Sequence, residues 1–166
     1  MALLNILKYP DPRLHKVADP VTHFNGELAS LIKNMAETMY EFNGIGLAAT
    51  QVDIHKRIIV IDISEEKNSL ITLINPILKT YSGHQEYDEG CLSVPSFFET
   101  VKRYELVSID YQDEHGQTRS LTADGLLSVC IQQEMDHLVG KVFVEKLSQL
   151  KQQRIKKKIT KLLRSG

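Results

Sequence analysis

At 166 residues, 42% hydrophobic and 25% charged with a net charge of −1, the chain has the size and balance of one globular domain, and this excludes a disordered, fibrous or repeat protein. No run of about 18 apolar residues exists, and two cysteines, Cys91 and Cys130, are too few for a disulfide framework. The Met1-Ala2-Leu3-Leu4 stretch meets Lys8, Pro10 and Pro12 too soon for a signal peptide, so the expectation is a cytoplasmic protein. Charge is uneven along the chain: from Lys146 to Gly166 there are eight Lys/Arg and no Asp/Glu, which leaves an acidic body and a basic tail.

In chain order, Tyr9-Pro10-Asp11-Pro12 opens in extended or turned backbone, because each proline pushes its predecessor out of the helical region. From Asn25, a suitable capping residue, Leu28, Leu31, Ile32, Met35 and Met39 recur at helical spacing and predict a helix that ends near Asn43-Gly44. Arg57 to Ile63 is β-branched and apolar almost without a break, as a strand buried on both faces would be. Leu70 to Leu78 and Tyr104 to Tyr111 predict further strands, and Asp113-Glu114-His115-Gly116 supplies turn chemistry for a hairpin with Thr118 to Ala123. A helix is predicted from Asp124 to about Val139, closed by Gly140. Another occupies the basic tail, where Leu147, Leu150, Ile155, Ile159 and Leu162 mark the side expected to rest on the body. Strands in a block between helices give an α+β fold, read as a single domain over residues 1–166 with 146–166 as a basic C-terminal helix.

Three stretches carry chemistry. Gln133-Glu134-Met135-Asp136-His137 lies on the helix after Asp124 and holds the second half of a zinc-hydrolase His-Glu-x-x-His pattern, with Gln133 at the first His position. Taken alone, Glu134 and His137 read as well as an exposed helix pair. Glu89-Gly90-Cys91-Leu92-Ser93 sets a cysteine beside a flexible glycine, either as a metal-binding thiolate or as a half-buried structural thiol. Gly44-Ile45-Gly46-Leu47-Ala48-Ala49-Thr50-Gln51 permits close backbone approach and ends in an amide donor, although Gly-x-Gly by itself marks a turn just as well.

Together, Gly44 to Gln51, Glu89 to Ser93 and Gln133 to His137 resemble, in order and separation, the three signature motifs of the peptide deformylase family. The likeness extends to Ile6 to Arg13, Glu37 to Tyr40, Ile58 to Asp62, Asn75-Pro76 and Leu150 to Arg154. It implies antiparallel sheets around a central metal-binding helix, and an enzyme that removes the formyl group from N-formyl-methionyl peptides. It also implies one divalent ion, Fe²⁺ foremost with Zn²⁺, Ni²⁺ or Co²⁺ as alternatives, at Cys91, His137 and Gln133. By the same resemblance Glu134 is general base and acid, and the Leu92 N–H and the Gln51 amide hold the oxyanion. Ile45, Gly46, Tyr87, Leu126, Val129 and Cys130 receive the substrate, while Glu89 and Arg103 form a supporting pair behind the cysteine. The basic C-terminal helix is expected to meet the ribosome; neither a membrane nor DNA is an expected partner.

Departures from the family pattern shape the expectation. An amide oxygen is a weaker donor to Fe²⁺ or Zn²⁺ than imidazole, so Gln133 implies reduced metal affinity. Phe97-Phe98 stands where many members are polar or basic, and Tyr87 replaces what is often a smaller aliphatic wall, which implies an altered substrate preference. The alternative to a working deformylase is a deformylase-like binding module with weak or lost metal binding and activity.

Overall fold

The structure is a computed structural model that describes residues 3–165; Met1, Ala2 and Gly166, the ends of the expected domain and tail, lie outside the described residues. Helix α1 (Gly26–Glu41) begins where expected, because the Asn25 side chain accepts the Leu28 N–H and satisfies one of the first-turn donors. Its buried face, Leu28, Ile32, Met35 and Met39, is the apolar stripe read from the sequence.

Five antiparallel strands form the main sheet in the order β1 (Gly46–Ala48), β2 (Ile58–Ile61), β3 (Ile71–Ser82), β6 (Leu106–Gln112), β7 (Thr118–Asp124). A two-stranded hairpin, β4 (Gln85–Cys91) with β5 (Val94–Arg103), stands apart from it. Strand β2 explains its own sequence. Ile58 and Val60 enter the core built on α1, whereas Ile59 and Ile61 enter a second core with Cys130, Ile131 and Leu138 of helix α2 (Gly125–Leu138). Side chains alternate across a strand, so a strand covered on both faces has no polar side to keep.

A third core joins the hairpin, the N-terminal segment and helix α3 (Gln149–Ser165) through Leu7, Tyr9, Leu14, Val94, Val101, Phe143, Ile155 and Ile159. Here one expectation is corrected. Ile155 and Ile159 are buried and Leu147 packs partly against this core, but Leu150 and Leu162 are exposed. The apolar packing of α3 on the body comes from its middle turns, and the leucines near its ends are exposed. No helix among the described residues is long and apolar enough to cross a membrane.

Helix α2 ends at Leu138, and Gly140 turns the chain away at φ 81°, a left-handed conformation that costs other residues free energy. A Cβ at Gly140 would also collide with the His15 carbonyl oxygen, a backbone atom that cannot step aside. Gly140→Ala should therefore destabilise the protein by roughly 2 kcal/mol, lowering Tm by about 4–8 °C for a chain of this size. Gly26→Ala, at the open first turn of α1 with nothing within 4 Å, should leave Tm unchanged or raise it, and a thermal melt of both variants tests the contrast.

Candidate active site

Residues three and four apart share one face of a helix, so α2 presents Gln133, Glu134 and His137 together, and all three are buried. Buried polar groups need partners from elsewhere in the fold. Cys91 provides one. It ends β4 at the tight return to β5, where it pairs with Val94, and its Sγ lies 3.4 Å from His137 Nε2. The Ser93 N–H approaches the same sulfur at 3.4 Å and Gln51 Nε2 at 3.3 Å.

Gln51 sits in the 3₁₀ turn Ala49–Val52 and its orientation is set at both ends of the amide. The Ala48 N–H donates to Oε1 at 2.9 Å, and Nε2 donates to Ser93 Oγ at 3.1 Å, which aims the second N–H at the sulfur. Gln133 is held differently: its Nε2 donates to the Gly90 carbonyl at 3.0 Å, next to Cys91. Glu134 Oε1 lies 3.9 Å from His137 Nε2 and, like His137 Nδ1, has no hydrogen-bond partner among the described residues. Gly46 makes room for this carboxyl, since a Cβ there would come within 2.6 Å of Glu134 Oε2.

Burial sets the electrostatics. Desolvation, with the Glu89 charge adding to it, pushes the Glu134 carboxyl up to about 8. Desolvation likewise raises the Cys91 thiol to about 12, with Glu134 adding to it, and lowers His137 to about 4. All three groups thus favour their uncharged forms, and a positive ion among them reverses that preference for thiol and carboxyl. Thiol and imidazole suit such an ion. Adjacent sulfur and nitrogen donors on a tetrahedral divalent metal are about 3.6 Å apart, close to the 3.4 Å found. No three His, Cys, Asp or Glu side chains among the described residues are placed to hold a metal ion together, so a third protein donor would be of another kind, and Gln133 is the neighbour in place.

A buried cation joins the two halves of this cluster. Arg103 of β5 donates through Nε and Nη2 to Glu89 at 2.6 and 2.8 Å, and through Nη1 to Asp136 at 2.6 Å. Glu89 belongs to the strand that ends in Cys91, and Asp136 precedes His137 on α2. The N-terminal segment braces the other side: the Leu7 N–H donates to the Gln51 carbonyl, Lys8 Nζ to the Leu92 carbonyl at 3.1 Å, and the Tyr9 N–H to the Ser93 carbonyl.

Ile45, Gly46, Tyr87, Glu89, Cys91, Leu92, Leu126, Val129, Cys130, Gln133 and Glu134, all singled out in the sequence, border one cavity of about 420 Å³. Tyr87 is half-exposed, at the rim rather than the wall. His137, Gln51 and Arg103 stand behind the cavity surface, buried. Sequence reasoning missed three participants. Ser93 fell inside a recognised motif without a role, and Asp136 and Lys8 gave no signal, because each matters through a partner 33 or more positions away.

Fold and site together define a class: an α+β hydrolase whose reactive groups meet where a central helix, a hairpin end and a glycine-rich turn converge. The polypeptide deformylase family profile matches residues 3–153. Peptide deformylase 1 of Burkholderia multivorans is 58% identical over 166 residues, covering 99% of this chain and 92% of that protein. Peptide deformylase of Chromobacterium violaceum is 57% identical over 161 residues, covering 97% and 96%. Among solved structures, a peptide deformylase from Legionella pneumophila superposes with a TM-score of 0.94 at 43% identity, covering 98% of this chain and 96% of that one. One from Ehrlichia chaffeensis in complex with actinonin gives 0.93 at 36% identity, covering 97% and 98%. This chain belongs to the peptide deformylase family.

Removing Arg103 would leave the buried Glu89 carboxylate uncompensated and Asp136 with Lys146 alone, and loss of one partner of a buried pair typically costs about 3–5 kcal/mol. Arg103→Ala should lower the urea midpoint accordingly, and Arg103→Lys should recover little of it, since an ammonium cannot serve both carboxylates with the guanidinium's fixed fork.

Proposed function

We propose that this chain, acting as a single domain over residues 1–166 in the cytoplasm, is a metal-dependent hydrolase that removes the formyl group from the N-terminal formyl-methionine of newly synthesised proteins. One observation supports the reading above others: the cavity is a slot between two unpaired strand edges. Among the described residues β1 pairs only with β2 and β4 only with β5, and Gly44-Ile45-Gly46 and Tyr87 to Cys91 border the same space. An extended peptide docks on such edges through its backbone, as an added strand does. The slot reaches Cys91 and Glu134, so a chain end laid in it is delivered to the reactive cluster. The relatives described above all carry the name of deformylases, which lends nothing to the alternative of a binding module.

A formamide is an unactivated amide, so its hydrolysis needs a strong nucleophile and stabilisation of a developing alkoxide. Cys91, His137 and, more weakly, Gln133 would hold the ion. When bound, a divalent metal, Fe²⁺ foremost, supplies Lewis acidity at the formyl group. Glu134 takes a proton from the attacking water and returns it to the amine as the C–N bond breaks, giving formate and a free α-amino group. The Leu92 N–H and the Gln51 amide, already aimed at this point, receive the oxyanion. Ile45, Leu126, Val129 and Cys130 wall an apolar space for the methionine side chain, and Gly46 brings its backbone to the substrate chain. Glu89 and Arg103 keep the cysteine in place.

Gln133 is where this chain's metal affinity is set. Gln133→His, with its ring nitrogen facing the Gly90 carbonyl in place of the amide, should raise the metal retained after dialysis against a chelator towards one equivalent. Hydrolysis of formyl-Met peptides should rise in parallel. Equal metal content in the two proteins would show that Gln133 is no weaker than imidazole here.

The ribosome reading rests on α3, whose Arg154, Lys156, Lys157, Lys158, Lys161 and Arg164 are all exposed. Clustered cations displace counterions from RNA phosphates, so such binding weakens steeply with salt. Because Ile155 and Ile159 are core residues, deleting the helix would open the third core, and charge substitution is the cleaner probe. Lys156→Glu combined with Lys157→Glu should abolish low-salt co-sedimentation with ribosomes while Tm and small-peptide hydrolysis stay near the parent values. Unchanged co-sedimentation would rule the surface out.

A further inference from the structure

Helix α2 has a second stripe that the reactive cluster does not use. Gln132, Met135, Asp136 and Val139 recur at helical spacing and line a groove of about 490 Å³ with Leu78 of β3 and Tyr104 beyond β5; no residue borders both this groove and the slot. The polar groups of its floor are already engaged. Gln132 accepts the Tyr104 N–H at 3.0 Å and donates to the Tyr104 carbonyl at 2.9 Å, and Asp136 accepts from Arg103 at 2.6 Å. What remains is apolar: Leu78, Met135, Val139 and the Tyr104 ring, which is held in a stack with Tyr81 at 4.3 Å and with His84 at 5.6 Å between centroids. The rim is basic. Lys102 is exposed and has no ion pair among the described residues, although Glu86 stands opposite it in the hairpin register. Lys146, also exposed, reaches Asp136 at 3.8 Å. With Arg103, these cations border the groove against the single Asp136 carboxylate, which two of them already share.

We propose that this groove is a second ligand site, separate from the peptide slot, for a small aromatic carboxylate. The proposal stands independently of the deformylase reading. A floor whose hydrogen-bonding groups are engaged disfavours a polar ligand body, because a polar group buried there would find no partner. Cations at the rim select an anionic end, and a carboxylate between Lys102 and Lys146 would accept charge-assisted hydrogen bonds from both. The Asp136 charge beside them favours a singly charged group over a doubly charged phosphate. The Tyr104 and His84 rings and the Met135 thioether interact better with an aromatic ring than with an alkyl chain. The position matters for the rest of the molecule. Arg103 and Asp136 line the groove and also tie the cysteine strand to α2, so the ligand would rest against the two residues that set the separation of Cys91 and His137.

The probe is hydrocinnamate, titrated into isotope-labelled full-length protein and followed by backbone amide chemical shifts. Lys102, Tyr104 and Val139 should shift saturably with a Kd on the order of 1 mM, while Ile45, Gly46 and Leu126 of the slot stay in place. Hydrocinnamamide, which keeps the ring and loses the charge, should bind about tenfold more weakly, hexanoate about threefold more weakly, and acetate without saturation. Lys102→Gln should weaken hydrocinnamate about fivefold, and Val139→Glu should abolish its binding. Both positions are exposed, and melts at the parent Tm show that the variants are folded. Shifts confined to the slot, no saturation at several times the expected Kd, or a Lys102→Gln protein with the parent affinity would each overturn the proposal. So would an amide, an alkyl acid or acetate that binds as tightly as hydrocinnamate.

Discussion

The site depends on one guanidinium. Cys91 and His137 come from elements with no backbone ladder in common, one from a hairpin outside the main sheet and the other from a buried helix, and Arg103 spans the gap between them. Its three bonds divide between Glu89, two residues before the cysteine, and Asp136, next to the histidine. Buried ion pairs contribute little net stability, because desolvation offsets most of the attraction; what they impose is geometry. Slippage of β4 against β5 by one residue would move Glu89 and Cys91 to the other face of the hairpin. Arg103 would then lose a partner at full desolvation cost, so the register that satisfies the charge is also the one that brings sulfur and imidazole together.

The cores that surround this bridge serve the same end. With both faces of β2 covered, α2 is enclosed, and polar groups on it lose water whether or not they find partners. That common cause places Glu134 high and His137 low. The unpaired edges of β1 and β4 are the sheet's usual liability, since open N–H and C=O groups invite aggregation. Here β1 is three residues long, and it and β4 border one slot.

Much of this was legible from residue pattern. Helix α1, the doubly buried β2, the β6–β7 hairpin and α2 with its closing glycine all follow from local periodicity and turn chemistry, as the uninterrupted run Ile58 to Ile61 shows best. The site residues surfaced because three motifs fell in a familiar order, and the structure gathers them around one cavity. Strand β5 escaped notice: Val94 to Arg103 mixes aromatic, acidic and basic residues, since one of its faces holds a buried arginine and the other an exposed phenyl. Asp136 and Lys8 were silent for a related reason. Their importance lies in a third nitrogen of Arg103 and in the Leu92 carbonyl, and no local spacing encodes either partner. The tail showed its stripe but not its depth, because periodicity marks a side of a helix without saying how many turns of it touch anything.

The brace formed by Leu7, Lys8 and Tyr9 carries a consequence for how the protein is made. These residues hold Gln51 and the Leu92–Ser93 loop together, yet Leu7 and Tyr9 share their core with Ile155 and Ile159 near the other end of the chain. During synthesis the first residues to appear must wait for Val94, Val101 and Phe143, and then for α3, before the core that takes their apolar side chains is complete. Until the middle turns of α3 emerge, that core lacks Ile155 and Ile159. A half-finished copy therefore lacks the completed core beneath the brace that holds the Leu92–Ser93 loop.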